Sequence, residues 1–380
     1  MVTVKAVADI RDVAASAWDA CAGSSNPSVS HAFLAALEES GSVSPQTGWA
    51  PQHLLLIAPD GSLIGAVPMY LKGHSYGEYI FDQAWAEAYE RAGGQYYPKL
   101  LAAVPFTPVT GPRLLVHPDA STADLQRYLV DGCITLAHEL GVSSLNFNFP
   151  DVNTWKLLGE SGLLLRKGEQ FHWHNKGYHT FEDFLLVLSS RKRKAIRKER
   201  IAALCDGEIK IEIVSGDSIS DTHWDAFYSF YIDTSQRKWG HPYLNRQFFR
   251  QIGNTMSDHI VMIMAVHNEE YVAGALNLLG REALYGRYWG CLKDYPFLHF
   301  EICYYQAIEY AITNQITKVE AGAQGPHKIQ RGYSPVYTYS AHWIRDNSLR
   351  EAVSSYLKSE RRAVDVEINW LTDHGPFRKE

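Results

Sequence analysis

The stretch HIVMIMAVHNEEYVAGALNLLGREALYGRYWG, residues 259–290, decides the fold. Its apolar runs at 259–266, 272–280 and 283–290 read as three successive strands. Upstream lie a strand at 209–214 (IKIEIV) and a helix over 221–236. Downstream come a helix over 299–314, a strand at 317–323 (TKVEAGA), a strand at 336–344 and a closing helix over 347–371. The first half follows the same order. A helix over 8–21, with Asp9 as N-cap, precedes strands at 53–58 and 63–71 joined by the turn Pro59-Asp60-Gly61. GEYIF at 77–81 reads as a third strand. Then come a helix at 84–92, the Pro-rich segment 104–112, a helix at 122–140 and a strand at 144–149. A short helix and a strand near 169–174 lead into a long helical stretch at 180–204.

Two echoes mark a repeat. Trp18-Asp19-Ala20 returns as Trp224-Asp225-Ala226. Gly65-Ala66 followed by Tyr76-Gly77-Glu78-Tyr79 returns as Gly274-Ala275 followed by Tyr285-Gly286-Arg287-Tyr288. Strands alternating with helices exclude an all-helical bundle or a sandwich and require mixed sheets. The expected domains are residues 1–165 and 166–380, with the second carrying most of the site.

Composition narrows the class. The 380 residues are 46% hydrophobic, 21% charged and 12% aromatic, which excludes disorder and allows two or three domains. Cys21, Cys133, Cys205, Cys291 and Cys303 form no C-x-x-C pair and are odd in number, so neither a disulfide framework nor a zinc site is expected. His172 and His174 share a strand face, but no third ligand is near in sequence, so no metal is expected. The N-terminus has no signal-peptide core and no segment suits a membrane span, so a cytoplasmic location is expected. Net charge is −6, yet RKRKAIRKER at 191–200 carries +6 by itself, leaving −12 for the rest. An acidic chain with one basic segment points to one anionic contact, through Arg191, Lys192, Arg193, Lys194 and Arg197, with tRNA or an anionic membrane surface.

The strings HSYGEYIFDQAWAEAYERAGGQYYPKLLAAVPFTPVTGPRLL (74–115), QFHWHNKGY (170–178), SRKRKAIRKER (190–200), RKWGHPYL (237–244), LYGRYWG (284–290), LHFEICYYQAIE (298–309) and EAGAQGPHKIQRGY (320–333) resemble the FemAB-like family of N-acyltransferases, often labelled peptidoglycan biosynthesis or recognition. The resemblance covers nearly the whole chain. It implies two tandem domains of the Gcn5-related N-acetyltransferase (GNAT) fold, each a mixed, mostly antiparallel sheet flanked by helices. It also implies transfer of an acyl or aminoacyl group to a small-molecule or peptide amine, in cell-wall or specialised-metabolite amide formation. No cofactor is expected, and the acyl donor is an aminoacyl-tRNA, an acyl-CoA or a carrier-protein thioester. Acetyl-CoA enzymes of this fold carry a Q/R-x-x-G-x-G/A loop whose N–H groups hold the pyrophosphate. Here CLKDYPFLHFE at 291–301 has no glycine, which disfavours acetyl-CoA in the usual pose. A catalytically inactive fold that recognises a peptidoglycan precursor or a partner is the rival reading.

Amide formation needs a deprotonated amine, a polarised carbonyl and a place for the oxyanion. Glu301 or Glu320 is a candidate base, His299 or His327 a candidate base or acid, and Tyr285 completes the catalytic candidates. Arg287, Tyr288, Trp289, Gln324, Lys328 and Arg331 are expected to bind substrate, with arginine best suited to bidentate anion capture. Arg237, Lys238 and Trp239 form a second candidate clamp. Strict alternation puts Tyr285, Arg287 and Trp289 on one strand face, and Gly286, Tyr288 and Gly290 on the other.

Overall fold

The computed structural model describes residues 2–120, 122–323 and 325–378, with the backbone alone described at 122, 123, 238 and 239. The chain forms two units, Met1–Glu169 with Tyr337–Glu367, and Gln170–Val336 with Ile368–Glu380.

The first unit opens with β1 (Thr3–Val7), α1 (Ala15–Ala22), α2 (His31–Glu39) and β2 (Trp49–Pro51). Next come β3 (His53–Ile57), β4 (Leu63–Val67), β5 (Met69–Lys72), α3 (Gln83–Arg91) and β6 (Lys99–Ala102). β7 (Leu115–Val116), α4 (Thr122–Glu139), β8 (Ser144–Asn148), α5 (Val152–Glu160) and the start of β9 (Leu164–His174) follow. One sheet runs β1-β3-β4-β7. The helix expected over 8–21 is shorter: Thr3–Val7 pairs antiparallel with β3, Asp9 caps a 3-10 turn through Arg11 N, and α1 starts only at Ala15. The indole of Trp18, fully buried, donates to Val29 O at 2.9 Å and ties α1 to the chain ahead of α2.

The second unit continues with α6 (Phe181–Leu186), α7 (Ser190–Ala203), β10 (Ile209–Ser215), α8 (Asp221–Trp239), α9 (Arg246–Thr255), β11 (Ile260–His267), β12 (Glu270–Leu279) and β13 (Ala283–Cys291). α10 (Leu298–Phe300), a π-helical turn at Glu301–Tyr305, α11 (Gln306–Thr313), β14 (Lys318–Glu320), a 3-10 helix at Pro326–Arg331, β15 (Ser334–Ile344) and α12 (Asn347–Asp373) complete the chain. Its sheet runs β10-β11-β12-β13-β14-β9 and is antiparallel except for the β13–β14 pair. Phe171, Leu284, Ile302, Ile308 and Val319 share one core on the α11 side of this sheet. The long helix expected over 180–204 is two helices. The backbone hydrogen bond of Ser189 N goes to Pro376 O, and Leu188 bridges to Phe377, so residues 187–189 leave the helical path.

Two further expectations change. Residues 77–81 form no strand, because Gly77 (φ 79°) and Tyr79 (φ 59°) are left-handed, which breaks an extended run. The Tyr76–Tyr79 echo therefore falls on a loop in one unit and on β13 in the other. The other echoes sit on matching elements, Trp18 and Trp224 on α1 and α8, Gly65 and Gly274 on β4 and β12. The two units also do not divide simply at 165/166. Ser340–Ile344 of β15 pairs with Ser144–Asn148 of β8, and Leu349, Val353 and Leu357 of α12 pack with Trp85 and Tyr96, so residues 337–367 build the first unit.

Candidate functional site

β13 carries the decisive irregularity. Leu276 lies opposite Tyr288 but Asn277 lies opposite Gly286, so Arg287 is an extra, bulged residue. The bulge flips the alternation. Tyr285 and Tyr288, opposite Leu278 and Leu276, share the α8 face, and Trp289 packs against the α11-side core. The expected grouping of Tyr285, Arg287 and Trp289 is thereby corrected: one inserted residue moves every later side chain to the other face. β13 pairs with β14 only through Ala283–Tyr285, against Lys318–Glu320, and beyond the bulge that parallel pairing stops.

A cleft of about 100 Å³ opens at this parting. Asn277, Gly286, Arg287, Trp289, His299 and Tyr304 are among the residues that line it, with Cys303, Ala321 and Gly322. A second cleft of about 220 Å³ is lined by Arg237, Trp289, Cys291, Lys293, Tyr295 and His299, among others. Trp289 and His299 belong to both, so the two are neighbours around one edge-on ring pair with centroids 5.2 Å apart.

Around His299 the π-helical turn places Tyr304, ring centroids 5.3 Å apart. The Tyr304 hydroxyl and His327 Nε2 are hydrogen-bonded at 2.9 Å. Burial pushes the Tyr304 phenol well above its ordinary value, so it stays protonated at neutral pH. Burial, with Arg331 and Lys328 nearby, lowers His327 and keeps its ring neutral. Arg331 lies 3.4 Å from the centre of the Phe300 ring, donates to His327 O at 2.9 Å and pairs with Glu199 at 3.0 Å. Lys328, 1% exposed, donates to Gly322 O at 2.8 Å, and burial lowers it to about 8. The segment read as an irregular loop thus holds the 3-10 helix Pro326–Arg331, whose basic side chains brace the cleft wall.

The two carboxylates differ sharply. Glu301 is fully buried and accepts from Arg200 Nε at 3.1 Å to both oxygens, from Arg200 Nη2 at 2.9 Å and from Gln306 Nε2 at 2.7 Å. Its lone pairs are committed to holding α7 against the π-helical turn. Glu320 follows Val319, a member of the α11-side core, and so faces the other side of the sheet. It lies 2.6 Å from Lys318 Nζ and 3.7 Å from His172 Nε2, and burial raises its carboxyl. Tyr285 stands opposite Glu320, and its phenol is pushed up by burial and then by that carboxylate. Tyr288 packs edge-on against Tyr231 at 5.5 Å. Arg237 donates to Cys291 O at 2.6 Å and pairs with Asp233 at 2.6 Å. Gln324 and the side chains of Lys238 and Trp239 lie outside the described residues.

On α7, Arg191, Lys194, Arg197 and Lys198 are exposed, and Lys192 and Arg193 are half-buried. Arg197 pairs with Glu182, and Lys192 reaches Gln330. Sequence reasoning missed Asn277, Cys303 and Tyr304 as cleft residues. The π-helical turn that brings Cys303 and Tyr304 to the cleft leaves no clear mark in an apolar helical run.

Two units of this strand-and-helix order, one with a bulged strand parting from its parallel neighbour, define the duplicated acyltransferase (GNAT-like) fold. The chain belongs to the FemAB-like family, described as peptidoglycan biosynthesis/recognition, whose model matches residues 9–379. Among solved structures it is similar to FemX, at 11% identity and a TM-score of 0.53, covering 93% of this chain and 100% of that one. It is also similar to L-PGS from Bacillus licheniformis, at 12% identity and a TM-score of 0.51, covering 88% and 98%. No curated protein sequence matches it. No helix among the described residues is long and apolar enough to cross a membrane.

Proposed function

We propose that the second unit transfers an acyl or aminoacyl group to an amine, with the chemistry in the cleft at the bulge. The observation that carries this reading is the parting of β13 from β14 at Arg287, directly beside His299 and the Tyr304–His327 pair. The edge of β13 that lies beyond its pairing with β14 can hold an extended acyl donor. His299 takes the proton that the attacking amine must lose. Tyr304, protonated at neutral pH, gives a proton to the departing oxygen or sulfur, and the nearby Arg331 charge offsets the phenolate. One proton leaves the amine and one reaches the leaving group, and passage of the His299 proton to the Tyr304 phenolate, ring centroids 5.3 Å apart, restores both groups. Arg237 and Lys293, in the neighbouring cleft, suit the phosphates of a nucleotide-bearing donor. Glu301 is left out as base because Arg200 and Gln306 occupy its oxygens.

The family description supports a cell-wall precursor as acceptor, in the cytoplasm where such precursors carry free amines. The exposed basic residues of α7 suit the phosphates of an aminoacyl-tRNA donor. The test is a transfer assay with labelled aminoacyl-tRNA or acyl-CoA and a peptidoglycan precursor peptide bearing a free side-chain amine. Labelled amide is the expected product. Binding of the precursor with no amide from either donor would instead favour a protein that only recognises it.

A further inference from the structure

The first unit holds a buried charged cluster that the transfer chemistry leaves unused. Lys72 and Lys99 are fully buried, Glu78 is 4% exposed and Asp82 is 2% exposed. Lys99 is saturated: Nζ donates to Ser75 Oγ at 2.7 Å, to Glu78 Oε2 at 2.8 Å and to Asp82 Oδ2. Tyr96 OH donates to the same Asp82 oxygen at 2.8 Å. Lys72 is not saturated. Its single hydrogen bond among the described residues reaches Tyr76 O at 3.3 Å, and it lies 3.5 Å from the centre of the Trp49 ring and 3.9 Å from Glu78 Oε1.

Three buried acceptors in this cluster, Glu78 Oε1, Asp82 Oδ1 and Asn148 Oδ1, have no hydrogen-bond partner among the described residues. Asn148 touches the cluster through Nδ2, which donates to Glu78 O at 3.5 Å. Leaving such groups unpaired costs about 1–3 kcal/mol each, more when charged. The backbone over them is strained as well. Tyr79 (φ 59°) and Phe106 (φ 56°) are left-handed non-glycine residues, and Phe106 N donates to Gly77 O at 3.2 Å. Gly77 has no room for a Cβ, which would lie 2.6 Å from the Phe106 ring. The irregular segment 73–81 covers the cluster, yet its Tyr76 is 68% exposed and Phe81 61%. Acceptors without hydrogen bonds, an under-bonded ammonium and local backbone strain together single this cluster out.

The missing partner must offer donors to Glu78, Asp82 and Asn148 and an acceptor to Lys72. Two lysines and two carboxylates sum to zero, so a ligand of net charge would leave a buried charge unbalanced. That excludes free phosphate and a divalent cation on electrostatic cost. An α-amino acid is the small molecule that is net neutral and carries an ammonium next to a carboxylate. We infer that the Lys72–Glu78–Asp82–Lys99 cluster is a binding site for a free α-amino acid, its ammonium on Glu78 and Asp82 and its carboxylate on Lys72, entered by displacement of residues 73–77, whose Tyr76 O gives up Lys72 while Lys99 keeps Glu78 in place. Burial lowers Lys72 to about 7 and raises Glu78 to about 7, the mark of a pair held dry. Nothing at this site depends on the second unit's chemistry.

The test is calorimetric titration of the full chain with each of the twenty proteinogenic L-amino acids, followed by the N-acetylated and decarboxylated forms of any that binds, and by inorganic phosphate. Expected is one-to-one binding of at least one amino acid. Either modification, and either Glu78→Gln or Lys72→Met, should weaken it about tenfold or more, as loss of a charge-assisted hydrogen bond does. On the wild type alone, amide hydrogen exchange over 73–82 should slow when that amino acid saturates, which decides the matter if the variants fail to fold. Absence of binding by all twenty overturns the site. So does binding that survives N-acetylation, phosphate binding as tight as the amino acid's, or unchanged exchange over 73–82.

Discussion

The hydroxyl of Tyr304 and Nε2 of His327 meet at 2.9 Å, joining the π-helical turn before α11 to the 3-10 helix that follows β14. The contact bridges two elements that flank the parting of β13 and β14. A phenol held there by a neutral ring is a proton donor of fixed position, which an aliphatic core residue would not supply.

Glu301 should prove a structural residue. Arg200→Met removes its bidentate partner and leaves a carboxylate buried, at a cost of about 3–5 kcal/mol. Glu301→Gln keeps the shape, retains an acceptor oxygen and should cost less. Thermal unfolding of both variants checks this. Transfer by folded Glu301→Gln should remain within a few-fold of the wild type, and a loss of a hundredfold or more would return Glu301 to the chemistry.

His342 sets an acid limit on the first unit. Its ring is buried, with Nδ1 at 2.7 Å from Asn146 Oδ1 and Nε2 at 2.9 Å from Ser340 Oγ, and burial lowers it to about 3. The folded ring binds its proton less tightly than the unfolded one, so the unfolded state protonates first as pH falls. This contribution is intact above about pH 6.5 and is lost progressively toward pH 3, by roughly 4–5 kcal/mol if the fold survives. Denaturant melts from pH 7 to 4 should show a shallower slope for His342→Gln than for the wild type. Parallel slopes would mean that the ring is not neutral in the fold.

Gly290 tests the packing behind the site. A Cβ there would collide with the backbone of Phe230 on α8. Gly290→Ala should destabilise by about 1–3 kcal/mol, the usual cost of overpacking. A melt unchanged from the wild type would mean that α8 does not sit this close to β13.

Much of this was legible in the sequence. The three apolar runs from 259 to 290 became β11, β12 and β13 with ends moved by one or two residues, because each run lies in the interior of one sheet. The Glu301–Arg200 lock was not legible, since it joins residues 101 positions apart. The bulge at Arg287 was equally hidden. Alternation along one strand cannot show that its partner skips a residue, and that single insertion decides which side chains meet the cleft. Residues 77–81 misled because their apolar residues suit a strand, whereas Gly77 and Tyr79 turn left-handed around buried Lys72 and Glu78.

The basic face of α7 makes a salt-dependent prediction. Replacing Arg191, Lys194, Arg197 and Lys198 by glutamine should weaken tRNA binding. The logarithmic salt slope should fall by roughly 0.7–0.9 for each phosphate that the helix no longer neutralises. These side chains are exposed, so the melt should hardly move. Equal slopes for the two proteins would remove α7 from donor binding.

The most direct measurement of the central claim is the steady-state rate of amide transfer by His299→Ala and Tyr304→Phe beside the wild type, with folding confirmed by melting. Loss of an acid or base group costs on the order of 10²–10⁴ in rate. The expected result is a fall in kcat of about a hundredfold or more for each variant, with KM changed only a few-fold. Wild-type kcat in both variants would contradict transfer chemistry at the cleft beside Arg287.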